Sequence, residues 1–217
     1  MQLELGCGGG FSTFVFVGAL LAGSVLLGRR AFRARAEGLT ALGRQLGLTF
    51  SQSRGSPPAP PSLAGDRPAR HGAFALDGRV DGRETAVFDY TVGSGKSART
   101  QTVVTLRAEG RPLPSFLLTP ETFVDKLAAT MGGQDLDFDG DAEFSSSFRL
   151  RGDENAVRQL FGPSVRTRLR DLVVPARVHV EAWGEHIALW APGSILKPEQ
   201  LQDRLRLAAE VASTFGR

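Results

Sequence analysis

The sequence predicts an α+β fold in which an N-terminal transmembrane helix precedes a soluble domain of antiparallel meanders and hairpins with several helices. Three observations carry this expectation. An uncharged apolar run, Phe11 to Leu27, is followed at once by a cluster of arginines. Two stretches, Phe74 to Arg107 and Ala176 to Trp190, alternate with period two about turn-forming pairs. Segments of helical periodicity lie apart from these strands, which argues against a parallel doubly wound sheet. The expected organisation is a short extracytoplasmic N-terminus and span over 1–28, a basic collar and helical stalk over 29–50, a proline-rich linker or loop over 51–72, and the α+β domain over 73–217.

From Gly8 to Gly28 a helix would rise about 31 Å, matching a hydrocarbon core of about 30 Å. A cleavable signal peptide carries positive charge before its apolar stretch, whereas here Glu4 is the only early charged side chain and Arg29, Arg30, Arg33 and Arg35 all follow. Arginines at a membrane end are retained on the cytoplasmic side, so the expected topology is a single pass with the N-terminus outside and the domain in the cytoplasm. The same four arginines form a collar suited to anionic headgroups of the bilayer.

In the 217 residues, 41% hydrophobic and 23% charged side chains are globular proportions, and the mean hydropathy of -0.10 averages a greasy anchor with a polar body. Net charge is only +3, and lysine is confined to Lys96, Lys126 and Lys197. No tract of like charges is present, so no nucleic-acid partner is expected. The lone Cys7 has no partner for an internal disulfide.

Leu39, Leu42 and Leu46 make one stripe of a helix continuing from Arg29, and Gly47 is suited to end it. Pro57, Pro58, Pro60, Pro61 and Pro68 then deny both helix and central strand. Asp81-Gly82 is a two-residue hairpin turn that pairs Arg79 with Glu84 and Leu76 with Val87, and Thr100 to Leu106 is a third strand. A fourth strand is expected over Ser115 to Thr119, a helix over Pro120 to Met131, a strand near Phe144 to Leu150, and helices near Glu154 to Phe161 and Pro163 to Leu172. In the second hairpin Gly184-Glu185 supplies the turn, so Trp183 faces His186, Glu181 faces Ala188 and His179 faces Trp190. These six share one face, and Val178, Val180, Ala182, Ile187 and Leu189 form the opposite, apolar one. A closing helix, with Pro198 in its first turn, sets Leu201, Leu205, Ala208 and Phe215 on one face and is expected to cover the tryptophans. If that face is open, Trp183 and Trp190 anchor a partner and His179 and His186 make the contact sensitive to pH.

Several motifs invite chemistry. Gly93-Ser94-Gly95-Lys96-Ser97 lacks the first glycine of a phosphate loop, because Tyr90 stands there, and a strand follows where a helix is needed. Asp135, Asp137, Asp139 and Asp141 alternate around Gly140 as in a calcium loop, but the closing glutamate's place holds Ser146 and the next segment reads as strand. The plainer account puts Leu136 and Phe138 inward and the aspartates in water. Arg151-Gly152-Asp153 reads as a turn in which Asp153 caps the next helix. His71, His179 and His186 lack zinc-ligand spacing, and no nucleophile elbow occurs. No catalytic residue and no cofactor is expected.

The stretch Glu143-Phe144-Ser-Ser-Ser-Phe148-Arg-Leu150, then Ala156, Leu160-Phe161-Gly162-Pro163, Leu169 and Leu172, and finally Val178-His-Val180 with Ile187-Ala-Leu189, resembles a bacterial family of uncharacterised membrane-tethered domains of unknown function. The resemblance covers about Asp141 to Trp190, with Gly162 standing where that family has threonine. It implies an anchored bacterial protein and carries no catalytic residue over; with the topology above, the expected location is the bacterial inner membrane. The resulting expectation is a non-catalytic interaction or sensing domain. The alternative is a calcium-dependent regulatory or metal-dependent enzymatic domain using Asp135, Asp137, Asp139 and Asp141.

Overall fold

Asp81 and Gly82 adopt φ of 51° and 80°, the left-handed pair a two-residue hairpin turn needs, and so fix the register of the first two long strands. In the computed structural model, which describes residues 29–52, 57–65, 69–110, 112–121 and 135–216, that hairpin belongs to one eight-stranded sheet. The strands are β1 (Leu48–Gln52), β2 (Ala69–Val80), β3 (Arg83–Val92), β4 (Arg99–Arg107), β5 (Leu113–Pro120), β6 (Phe148–Gly152), β7 (His179–Gly184) and β8 (His186–Trp190). Their order is β1-β2-β3-β4-β8-β7-β5-β6, and every neighbouring pair is antiparallel. Both hairpins have the expected register, Arg79 opposite Glu84 and Trp183 opposite His186.

One apolar row crosses all eight strands: Phe50, Leu76, Val87, Val104, Leu189, Val180, Leu118 and Leu150 are successive cross-strand partners. Helices cover this face. They are α1 (29–46), α3 (Ala142–Ser147), α4 (Glu154–Leu160), α5 (Pro163–Ala176) and α6 (Pro198–Thr214), while the single turn α2 (Pro61–Ala64) lies elsewhere. Leu201, Leu205 and Ala208 of α6 are buried in the same cluster as Leu39 and Leu42 of α1. Each fully buried aliphatic side chain of this kind is worth about 1.5–3 kcal/mol relative to an exposed one.

Four expectations change. The helix at 29–46 is no stalk: Ala36, Leu39 and Leu42 belong to the core, and Gly47, with φ of 69°, turns the chain straight into β1. The proline-rich stretch contributes α2, whose Leu63 is buried against the second face of the sheet. The segment expected as a strand from Phe144 is helical through Ser147, because Asp141 caps it by accepting from Phe144 N and the hydroxyls of Ser146 and Ser147 fold back on Glu143 O. The strand begins only at Phe148. The closing helix covers the apolar row and leaves the tryptophan face to other cover.

Among the described residues no helix is long and apolar enough to cross a membrane. The run from Phe11 to Leu27, and most of the helix expected over Pro120 to Met131, lie outside the described residues.

Candidate functional site

On the second sheet face the cross-strand rows are Phe88, Val103, Trp190 and His179, and beside it Ala86, Thr105, Ala188, Glu181 and Leu117. Three polar groups in these rows, Thr105, His179 and Glu181, are buried. The strap of residues 57–65 accounts for part of that cover. Leu63 packs into the cluster of Phe88, Tyr90, Val103 and Trp190. Ser62 pins the strap twice on one carboxylate, its amide donating to Glu181 Oε1 at 3.0 Å and its hydroxyl to Oε2 at 2.5 Å. His71, tilted against Phe88 and edge-on to Tyr90, meets Pro57 O at 3.0 Å.

Burial sets the protonation here. It pushes the Glu181 carboxyl up to about 7, against the opposing pull of the Ser62 hydrogen bonds, and pushes His179 down to about 4. His179 is therefore a neutral imidazole at pH 7, lying 5.4 Å from the Trp190 ring and with Nδ1 3.5 Å from the Thr119 hydroxyl. The indole N–H of Trp190 is buried without an acceptor among the described residues. Of the four residues expected as a partner face, His179 and Trp190 are thus interior, and only Trp183 and His186, their rings 5.4 Å apart, reach the surface in part.

A second polar cluster lies on the helical face. Arg35 donates to both oxygens of Asp89 at 2.9 and 3.0 Å and to the carbonyl of Leu196. Thr102 donates to Asp89 at 2.7 Å and accepts from Leu196 N at 2.9 Å. Helix α1, strands β3 and β4 and the 191–197 connection are tied together through one buried carboxylate. Arg35 is accordingly withdrawn from the expected collar, while Arg29, Arg30 and Arg33 are exposed.

Two of the four aspartates, Asp135 and Asp141, serve the fold. Asp135 pairs with Arg151 at 3.0 Å and Arg149 at 3.6 Å; Asp141 caps α3 and pairs with Arg166 at 2.7 Å, which together hold its carboxyl below the usual range. Asp137 and Asp139 are exposed, and Leu136 and Phe138 are buried between them. Among the described residues no group of three or more His, Cys, Asp or Glu is placed to hold a metal. Asp153 accepts from Ala156 N as the cap of α4. The Gly93 to Ser97 connection leads straight into β4.

Sequence reasoning missed the Arg35–Asp89 and Ser62–Glu181 ties. The available signal was a carboxylate at a core-facing place in each strand, beside Phe88 and Tyr90 in one and Val180 and Ala182 in the other. The partners are remote in sequence, and nothing local announces them.

A single antiparallel sheet, helices on one face and a pinned strap on the other, defines the class as α+β. A solved structure of that class is the crystal structure of the mycobacterial trehalose monomycolate transport factor A, TtfA, similar with a TM-score of 0.60 and 12% identity over 84% of this chain and 94% of that one. At that identity the likeness shows the fold. No protein-family model and no curated protein sequence matches the chain.

Proposed function

We propose that the chain is a non-catalytic accessory factor of a membrane transport process, anchored by residues 11–27 with its domain on the cytoplasmic side of a bacterial inner membrane. One observation supports this reading: the likeness in fold extends over 94% of the solved chain of a protein described as a transport factor. The polar chemistry agrees. Glu181, the carboxyl best tuned for proton transfer near neutrality, has both oxygens bound to the strap and is 3% exposed. Trp183 and His186, half-buried near the turn of the second hairpin, are the proposed partner contact, backed by the buried Trp190 and His179.

Photo-crosslinking tests this in the full chain, with a benzophenone side chain placed at Trp183 and the protein in its native membrane. The expected product is an adduct with a polytopic transport protein, absent when the probe sits at exposed Asp203 of α6. Adducts at both positions, or at neither, contradict the partner contact; turnover of a small substrate that survives purification contradicts the non-catalytic reading.

A further inference from the structure

We propose that the end of the sheet at which α1 begins is a docking surface for anionic phospholipid headgroups, which stands the domain on that end against the bilayer. The inference rests on reading residues 11–27 as a span. Arg35 fixes the height of α1 by its bonds to Asp89 and Leu196. From there, six residues of helix rise about 9 Å to Arg29, and three residues of strand climb about 10 Å from Asp89 to Val92. The collar of Arg29, Arg30 and Arg33 therefore stands level with the ends of β3 and β4.

That level carries more cations. Lys96 sits in the β3–β4 connection, Arg99 opens β4 opposite Val92, and Arg70 lies opposite Thr91. Lys197 ends the 191–197 connection, which is fastened to β4 by Ser194 O on Thr102 N and by Gln101 on Gly193 N. All four are exposed, and no ion pair is made by them or by the three collar arginines among the described residues. The opposite end of the same strands is different: Arg79, Arg83 and Arg107 are each paired, with Glu84, Glu109 and Glu185. On the cationic end Asp89 is consumed by Arg35 and Glu121 by Arg149, which leaves Glu37 and Glu199 as exposed carboxylates nearby.

The occupant follows from charge, apolar tips and tether. Three large hydrophobic side chains are exposed among the described residues, and two of them, Phe32 at 46% and Ile195 at 49%, stand on this rim between the cations. Basic side chains interleaved with apolar tips suit the headgroup boundary of an anionic bilayer, where charges meet phosphate and apolar groups enter the acyl edge. Because α1 is docked from Ala36 onward, only Arg29 to Arg35, about 10 Å of helix and close to one screening length of about 8 Å, lie between the core and the residues that precede Arg29. The rim is held where headgroup charge is felt.

Fluorescence energy transfer to labelled headgroups tests this in the full Cys7→Ser chain reconstituted into phosphatidylcholine vesicles. A single dye is placed by Ser94→Cys on the rim or by Arg79→Cys at the far end, roughly 30 Å of strand away. Adding phosphatidylglycerol is expected to raise transfer at position 94 and not at 79, high salt to reverse the rise, and Lys96→Glu with Arg99→Glu to abolish it. Transfer at 94 that ignores phosphatidylglycerol and salt, in a chain that resists carbonate extraction, overturns the docking surface and leaves the span standing. A chain released by carbonate overturns both. A salt-sensitive response to duplex RNA without any to phosphatidylglycerol assigns the rim to nucleic acid and overturns the lipid surface.

Discussion

Arg35 and Asp89 show what a charge in the interior demands. With side chains 18% and 9% exposed, the pair is stable because the carboxylate also accepts from Thr102 and the guanidinium also reaches the Leu196 carbonyl. Removing one partner strands the other, so Arg35→Ala should cost about 3–5 kcal/mol in denaturant unfolding, against roughly 0.5 kcal/mol or less for exposed Arg30→Ala. Equal costs would show that Arg35 is an ordinary surface arginine. Glu181 and His179 make opposing contributions to stability as pH changes. The folded protein keeps the Glu181 proton from pH 4.5 to about 7 while the unfolded chain releases it, so stability falls as pH rises through that window. The folded protein refuses the His179 proton from pH 6.5 down to about 4 while the unfolded chain binds it, so stability falls as pH drops. The two effects largely cancel between about pH 4.5 and 6.5. Glu181→Gln removes the first: the variant should gain about 1–3 kcal/mol over the parent at pH 8, and its stability should decline more steeply on acidification below pH 6.5. Parallel pH profiles for parent and variant would contradict the buried, protonated carboxyl.

Helix α1 and the strap mark where local sequence stops being informative. Both hairpins were legible, register included, because a two-residue turn and a period-two alternation are local properties; Asp81-Gly82 and Gly184-Glu185 each determine their own pairing. The stripe of Leu39, Leu42 and Leu46 and the stop at Gly47 were legible for the same reason. What that stripe packs on was not, since it meets Leu76 and Leu201 from remote parts of the chain. The serine run after Phe144 misled because serine is weak in helix interiors, whereas here the Ser146 and Ser147 hydroxyls donate to Glu143 O and the Ser145 hydroxyl accepts from Phe138 N. The docking of α1 has a testable signature at Gly43, where an added Cβ would lie 2.9 Å from the Leu48 carbonyl oxygen and 3.0 Å from Leu76. Glycine to alanine inside a free helix stabilises by about 1 kcal/mol, whereas Gly43→Ala should destabilise by about 1–3 kcal/mol in thermal unfolding. A stabilised Gly43→Ala would mean that α1 is not seated on β1 and β2.

At the scale of the molecule, the sheet order places β4 and β8 at the centre, so the first hairpin set and the C-terminal hairpin share one core through Val104 and Leu189. Helix α1 lies over β2 and β3, against Phe74, Leu76 and Asp89, and joins the same core beside α6, which packs on β4 and β8. This is the central claim: the segment after the apolar run is an interior part of the domain. Hydrogen exchange on the full chain, resolved to single amides, tests it most directly. The amides of residues 36–46 should exchange as slowly as those of β4, with protection corresponding to global unfolding. Exchange of 36–46 within seconds, under conditions in which β4 stays protected for hours, would contradict it.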